Sequence, residues 1–220
     1  MKQYKGVIFD MDGLLFDTEK VYMDVNVSIA PNYGINGMTH DYLMGVVGLS
    51  DKECHEKYQI DFPEVSEEKM LAFITEGHRQ VEGIFASGNV PMKPGAKELL
   101  TLLKNKGIPC VIGSSNLRKF IELLTHQAKI ETFFQGIVSS DEVKKAKPDP
   151  EIVEKAVEML GLKSAECLML EDSLNGVRAA YAAGVDVIAI PDLIQPNEEM
   201  LEKVLGVETS LFDVAEKYFN

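Results

Sequence analysis

Two carboxylates stand one residue apart at the end of an apolar run: Val7-Ile8-Phe9 leads into Asp10-Met11-Asp12, and Gly13 follows. An apolar run bounded by turn signals reads as a buried strand. Acids at the end of such a strand need compensation. Three other stretches carry matching chemistry: Ser114-Ser115-Asn116, Lys147, and Glu171-Asp172. Brought together, they place four carboxylates and one lysine in a single crevice, and like charges that close cannot all stay ionised unaided. A divalent cation resolves the conflict, and donors that are all oxygen suit Mg²⁺ rather than zinc or copper. Ser114, Ser115, Asn116 and Lys147 offer a phosphate what it needs: a hydroxyl, backbone N–H groups at a helix start, and positive charge. One carboxylate can attack phosphorus to form an aspartyl-phosphate. A second, two residues on, can protonate the leaving oxygen and then deprotonate water.

Each piece has an ordinary reading when taken singly. Asp-x-Asp is usually a turn, Ser-Ser-Asn is turn chemistry, a lysine before proline is a solvated loop residue, and Glu-Asp ahead of a helix is a cap. Their common placement argues otherwise, because all four fall at strand ends of one alternating pattern. Cys110–Gly113, residues 136–138, Cys167–Leu170 and Val185–Ile190 read as short buried strands. Helices are expected between them over 96–106, with Gly107 at its end, over 118–128, from Asp149-Pro150 to Leu160, and over the alanine-rich stretch ending at Gly184. Strands separated by helices predict an α/β fold with a parallel sheet, and such sheets bind ligands outside the carboxyl ends of their strands.

Residues 17–91 follow a different pattern. Tyr22, Val25, Ile29, Met70, Phe73 and Ile74 recur at helical spacing, no strand stands out, and Asp17 or Thr18 is a plausible cap for the first helix. The stretch reads as a helical module inserted between a core of 1–16 and 92–220, with a linker over 87–95 and hinges at Gly13 and in that linker.

Composition narrows the partners. A net charge of −13 over 220 residues argues against nucleic acid or an anionic membrane surface, but leaves a small phosphorylated metabolite open. No window reaches a membrane span, and the run after Lys5 is too short for a signal core, so a cytoplasmic location is expected. Cys54, Cys110 and Cys167 lack metal-site or disulfide spacing, and the last two read as small buried residues. Nothing fixes the oligomeric state, with a monomer favoured.

Asp10-Met11-Asp12-Gly13 with Asp17-Thr18-Glu19, then Ser114, Lys147-Pro148-Asp149-Pro150 and Glu171-Asp172-Ser173, resemble the four motifs of the haloacid dehalogenase superfamily. The likeness is strongest to its phosphatase and β-phosphoglucomutase-like branch and covers residues 5–192. It implies a Rossmann-like three-layer core with an inserted helical cap. It further implies Asp10 as nucleophile, Asp12 as general acid and base, and Ser114 and Lys147 as phosphate binders. Mg²⁺ would be held by Asp10, the Asp12 backbone carbonyl and Asp172, with Glu171 a further ligand or a group behind them. The presence of Asp12 favours phosphoryl transfer over dehalogenation.

The resemblance leaves two activities. Mutase-like members carry a histidine where Tyr22 stands, and an arginine after a Gly-Val-Ser stretch similar to Gly48-Leu49-Ser50, where Asp51 stands. Both departures favour a Mg²⁺-dependent phosphatase, of a sugar phosphate or nucleotide-like monophosphate, over a sugar-phosphate mutase. A non-catalytic binding protein is the third reading. Tyr22, Met44, Gly45 and Gly48 are candidates for lining the substrate pocket. Lys52, His55, His78 and Arg79 read better as a solvated helix face, and His126 as structural or exposed.

Overall fold

Val7 and Phe9 pack to one side of strand β1 (Gly6–Phe9) and Ile8 to the other, and all three are fully buried. That period-two alternation with both faces covered is the signature of a central strand in a parallel sheet. The computed structural model describes residues 2–47, 49 and 51–220. Strands β2 (Cys110–Gly113), β3 (Phe134–Val138), β4 (Cys167–Glu171), β5 (Asp186–Ala189) and β6 (Gly206–Val207) complete the sheet. Their order is β3-β2-β1-β4-β5-β6, with every pairing parallel.

Register decides what meets at the carboxyl ends. Phe9 sits level with Ile112 of β2 and with Leu170 of β4. The next residues, Asp10 and Glu171, therefore emerge at one height, and Ser114 follows one step beyond β2. The backbone confirms the level, with Asp10 N–H donating to the Leu170 carbonyl at 3.1 Å and Ser114 N–H to that of Val138 at 3.0 Å.

Between β1 and β2 the chain forms α1 (Glu19–Ile29), α2 (His40–Met44), α3 (Asp51–Asp61), α4 (Glu67–Ala86) and α5 (Ala96–Asn105). Helix α6 (Arg118–Ala128) follows β2, α7 (Glu151–Leu160) follows β3, and α8 (Leu174–Ala182) follows β4. Leu99 and Leu103 of α5 and Phe120 and Leu124 of α6 share a core with Val7 and Phe9. Ile152 and Ala156 of α7 and Val177 and Ala180 of α8 share the opposite core with Ile8. Helices thus cover both sheet faces, giving three layers. Cys110 and Cys167 are buried, as expected of small apolar residues.

The regular elements of residues 19–86 are helical among the described residues. The two chain crossings into this segment run side by side: Phe16 bridges Met92 antiparallel, and Asp17 N–H donates to the Pro91 carbonyl at 3.1 Å. Helix α4 lies against α6. Phe85 meets Phe120 edge-on at 5.7 Å, a geometry worth about 0.5–1.5 kcal/mol beyond burial, and Lys119 pairs with Glu82.

Several boundaries differ from expectation. Helix α1 begins after Thr18, whose side chain makes no cap bond because it is engaged elsewhere. Helix α7 begins one residue later than Pro150, with Asp149 Oδ1 accepting from Glu151 N–H at 3.2 Å. Beyond residue 192 lie α9 (Glu198–Lys203), the two-residue β6 and α10 (Leu211–Val214). Strand β6 is too short to carry a pattern. Among the described residues no helix is long and apolar enough to cross a membrane.

Candidate active site

Lys147, in the loop between β3 and α7, is 2% exposed. Its Nζ donates to Asp10 Oδ1 at 2.6 Å and to Glu171 Oε1 at 2.7 Å. The other oxygen of Glu171 accepts from the Ser173 N–H at 2.7 Å and hydroxyl at 3.0 Å. Glu171 is therefore satisfied at both oxygens and holds the lysine in place. Asp10, Glu171 and Asp172 each bring a carboxylate oxygen within 4.8 Å of the others. Burial pushes the Asp10 carboxyl up to about 8, with Glu171 and Asp12 adding to the shift while Lys147 opposes it. Asp172 is driven well above the carboxylate range by burial and by Glu171 and Asp10. Burial pulls the lysine down, but Asp10 and Glu171 outweigh it and hold the ammonium charged.

Two glycines make room for these acids. Gly13 turns the chain at φ +75°, and a Cβ there would fall 2.3 Å from Asp172 Oδ2. A Cβ on Gly176, in the first turn of α8, would fall 1.6 Å from Glu171 Oε1.

Asp12 faces a different set of partners. Its carboxylate accepts from the Thr18 hydroxyl at 2.6 Å, from Asn116 Nδ2 at 3.0 and 3.1 Å, and from the Ser114 hydroxyl at 3.4 Å. Burial raises its pKa, and the Thr18 and Asn116 bonds oppose the rise. Asn116 Nδ2 also donates to the Tyr22 hydroxyl at 2.8 Å, tying α1 to the end of β2. The Asp12 side chain is thus outside the three-acid group, and the Asn116 amide is committed to an acid and a phenol. Ser114 is fully buried, and its hydroxyl also accepts from Asn116 N–H at 3.0 Å.

A cavity of about 150 Å³ opens above these groups. Asp10, Asp12, Lys147, Glu171 and Asp172 form its floor, with Ser115 and Asn116 beside them. Tyr22 lines it, together with Glu19, Asn26, Asp51 and His78, which the sequence did not mark as pocket residues. Met44 and Gly45 are not among the lining residues; their neighbours Leu43 and Val46 are, because the buried face of α2 and its exit points inward there. Gly48 lies outside the described residues. Lys52 and Arg79 are solvated and paired with Glu56 and Glu76. His126 is exposed near Glu131. His55 is half-buried, with its Nε2 unpartnered. His78 was legible: Ile74, Gly77, His78 and Val81 follow i, i+3, i+4, i+7 spacing on α4.

Three buried carboxylates that share the single ammonium of Lys147 fit a hard divalent metal, since all donors are oxygen and one positive charge does not balance them. Acids, a lysine and hydroxyls gather at the carboxyl ends of a parallel Rossmann-like sheet, where such sheets bind their ligands. The chain belongs to the haloacid dehalogenase-like hydrolases: that family's pattern matches residues 7–190. It falls in the branch of phosphatases and β-phosphoglucomutase-like proteins. It is 32% identical over 189 residues to a phosphorylated carbohydrates phosphatase of Thermotoga maritima, covering 84% of this chain and 83% of that one. Its fold matches that of CbbY from Rhodobacter sphaeroides, crystallised with phosphate, at a TM-score of 0.85 and 21% identity, covering 96% of each chain. A β-phosphoglucomutase from Clostridium difficile superposes at a TM-score of 0.79 with 24% identity, covering 98% of this chain and 97% of that one.

Proposed function

We propose that this phosphoric monoester hydrolase cleaves a small phosphorylated metabolite, of the sugar-phosphate or nucleotide-like kind, through an aspartyl-phosphate on Asp10. The observation that carries this reading is the pairing of two unlike acids. Asp10 is buried against Lys147, while Asp12, two residues on, is held by Thr18, Asn116 and Ser114. One acid is prepared to attack and the other to move a proton.

In the first step an Asp10 carboxylate oxygen attacks phosphorus, the ester P–O bond breaks, and Asp12 gives its proton to the leaving alcohol oxygen. In the second, Asp12 takes a proton from water, the water oxygen attacks phosphorus, and Asp10 is released with inorganic phosphate. Ser114 and Lys147 bind the phosphoryl oxygens, with Ser115 and Asn116 contributing backbone N–H groups. Asp10, the Asp12 backbone carbonyl and Asp172 would hold Mg²⁺, with Glu171 behind them, and the ion would supply further neutralisation of phosphoryl charge. Residues 17–91 serve as the cap, excluding bulk water from the acyl-phosphate.

A sugar-phosphate mutase has less support. It must grip a second phosphate while an intermediate turns over, and the cavity presents Tyr22 and Asp51 on that side. The test is phosphate release from p-nitrophenyl phosphate with Mg²⁺, for wild type and Asp10→Asn. Wild type is expected to release phosphate and to carry acid-stable covalent phosphate when quenched, whereas the folded Asp10→Asn protein does neither. An inactive wild type, or an Asp10→Asn variant that keeps its rate, would overturn the reading. Isomerised sugar phosphate without free phosphate would favour the mutase.

A further inference from the structure

The roof of the cavity, above the reacting groups, is lined by charge of one sign. Asp51, at the start of α3, faces it, while Glu19, in the first turn of α1, lines the cavity beside Asp12 and Asp10. His78 Nε2 lies 3.3 Å from Asp51 Oδ2, so even a protonated imidazole is balanced by its neighbour. Asn26 and Tyr22 add uncharged polar groups. The remainder is apolar, with Met23, Leu49 and Ile74 among its members.

Cationic side chains are absent from that roof among the described residues. Six carboxylates line the whole cavity against a single lysine, Lys147, and that lysine lies on the floor between two of them. Lys52, Lys57 and Arg79 of α3 and α4 are spent outside the cavity: Lys52 with Glu56, Lys57 with Asp61, and Arg79 bidentate to Glu76. Even a divalent metal leaves the cavity net negative before a phosphate enters. A substrate's own phosphate is matched by the floor. A second anionic group would reach the roof, where it would be partly desolvated beside acids with no donor cation to receive it. Hydroxyl and ammonium groups meet the opposite situation, since Asp51 and the Asn26 carbonyl accept from them.

We propose that the roof selects by charge: the site takes phosphate monoesters whose alcohol part is uncharged or cationic, with hydroxyls on one face and an apolar face on the other, and excludes those bearing a carboxylate or second phosphate. Asp51 is the residue that excludes, by like-charge repulsion rather than by shape. This rests on the phosphatase reading above, which leaves the alcohol part open.

Four compounds of similar size separate the two: glucose 6-phosphate, glucosamine 6-phosphate, 6-phosphogluconate and fructose 1,6-bisphosphate. Each is measured as a substrate and as a competitor of p-nitrophenyl phosphate hydrolysis in Mg²⁺. The first two are expected to surpass the last two by about 30-fold in kcat/KM or in inhibition constant, equivalent to about 2 kcal/mol. Asp51→Lys, at a side chain more than half exposed, should shift that ratio toward the bisphosphate by about tenfold or more. Equal performance of the neutral and anionic compounds, with p-nitrophenyl phosphate still cleaved, overturns the charge selection and leaves the phosphatase intact. So does an unchanged ratio in a folded Asp51→Lys protein. Silence on every ester, p-nitrophenyl phosphate included, overturns the phosphatase reading itself.

Discussion

Replacing Lys147 by methionine keeps most of the side-chain volume and deletes the charge that Asp10 and Glu171 share. The lysine is 2% exposed and bonds both acids at 2.6 and 2.7 Å, so its charge is held out of bulk solvent. Removing one partner of a buried ion pair costs about 3–5 kcal/mol, because the charge left behind is uncompensated. In a chain of 220 residues, each kcal/mol lowers Tm by about 2–4 °C, so a fall of about 6–20 °C is expected. The loss depends on pH. Without the lysine, Asp10 sits further above its unfolded value, so the folded state gains by protonation; the deficit is largest near pH 8 and shrinks toward pH 5. Thermal melts of Lys147→Met at both pH values, in chelator and in excess Mg²⁺, read all of this. Mg²⁺ should recover part of the loss at the higher pH while phosphate release stays impaired. A Tm within about 2 °C of wild type at pH 8 in chelator would refute the assignment of Lys147 as the charge that holds the acids together.

Three further outcomes follow from the same geometry. In chelator, wild-type stability should fall as pH rises between about 4 and 8, because burial holds Asp10 and Glu19 up to about 8 and their folded state keeps protons that the unfolded chain releases. Excess Mg²⁺ should flatten that slope in urea titrations. Gly176→Ala should lose about 1–3 kcal/mol in denaturant melts, and activity with it, since its Cβ would lie 1.6 Å from a glutamate oxygen that is already fixed. Thr18→Val removes the 2.6 Å bond to Asp12 without changing shape; kcat should drop about tenfold with KM little changed, as expected for a hydrogen bond to a charged group. Steady-state kinetics on p-nitrophenyl phosphate check this, and an unaltered kcat would remove Thr18 from the site.

Much of the site was legible because a parallel sheet carries its loops to one edge. Once the strands ending at Phe9, Gly113 and near Leu170 were read, the residues after them had to meet. Lys147 was harder, since a loop lysine looks the same in sequence whether solvated or buried; only the unpaired acids pointed to it. The partners of Asp12 were not legible. Thr18 is a natural helix cap by type and place, and its hydroxyl is taken by an acid instead. Asn116 reaches Tyr22 across 94 positions of sequence, which no local pattern records. The cavity roof was misjudged at His78 for a related reason: α4 turns a polar residue toward other helices, and an amphipathic reading assigns polar residues to water.

The empty space at Gly176 also sets an order in which this site can change. Glu171 occupies the volume where a side chain at 176 would lie, and the lysine that balances Asp10 leans on Glu171 in turn. A larger residue at 176 becomes admissible only after the glutamate has been shortened. Shortening it first leaves Lys147 with one partner and α8 with a hole. The two positions therefore form a latch with one direction of release: drift at 176 is blocked from the present sequence, and Gly176→Ala should be harmful beside glutamate yet tolerated beside Glu171→Ala, which removes the Cγ that lies 2.6 Å from the added Cβ. Three residues on separate stretches are thereby locked into one unit of inheritance by a few ångströms of reserved volume.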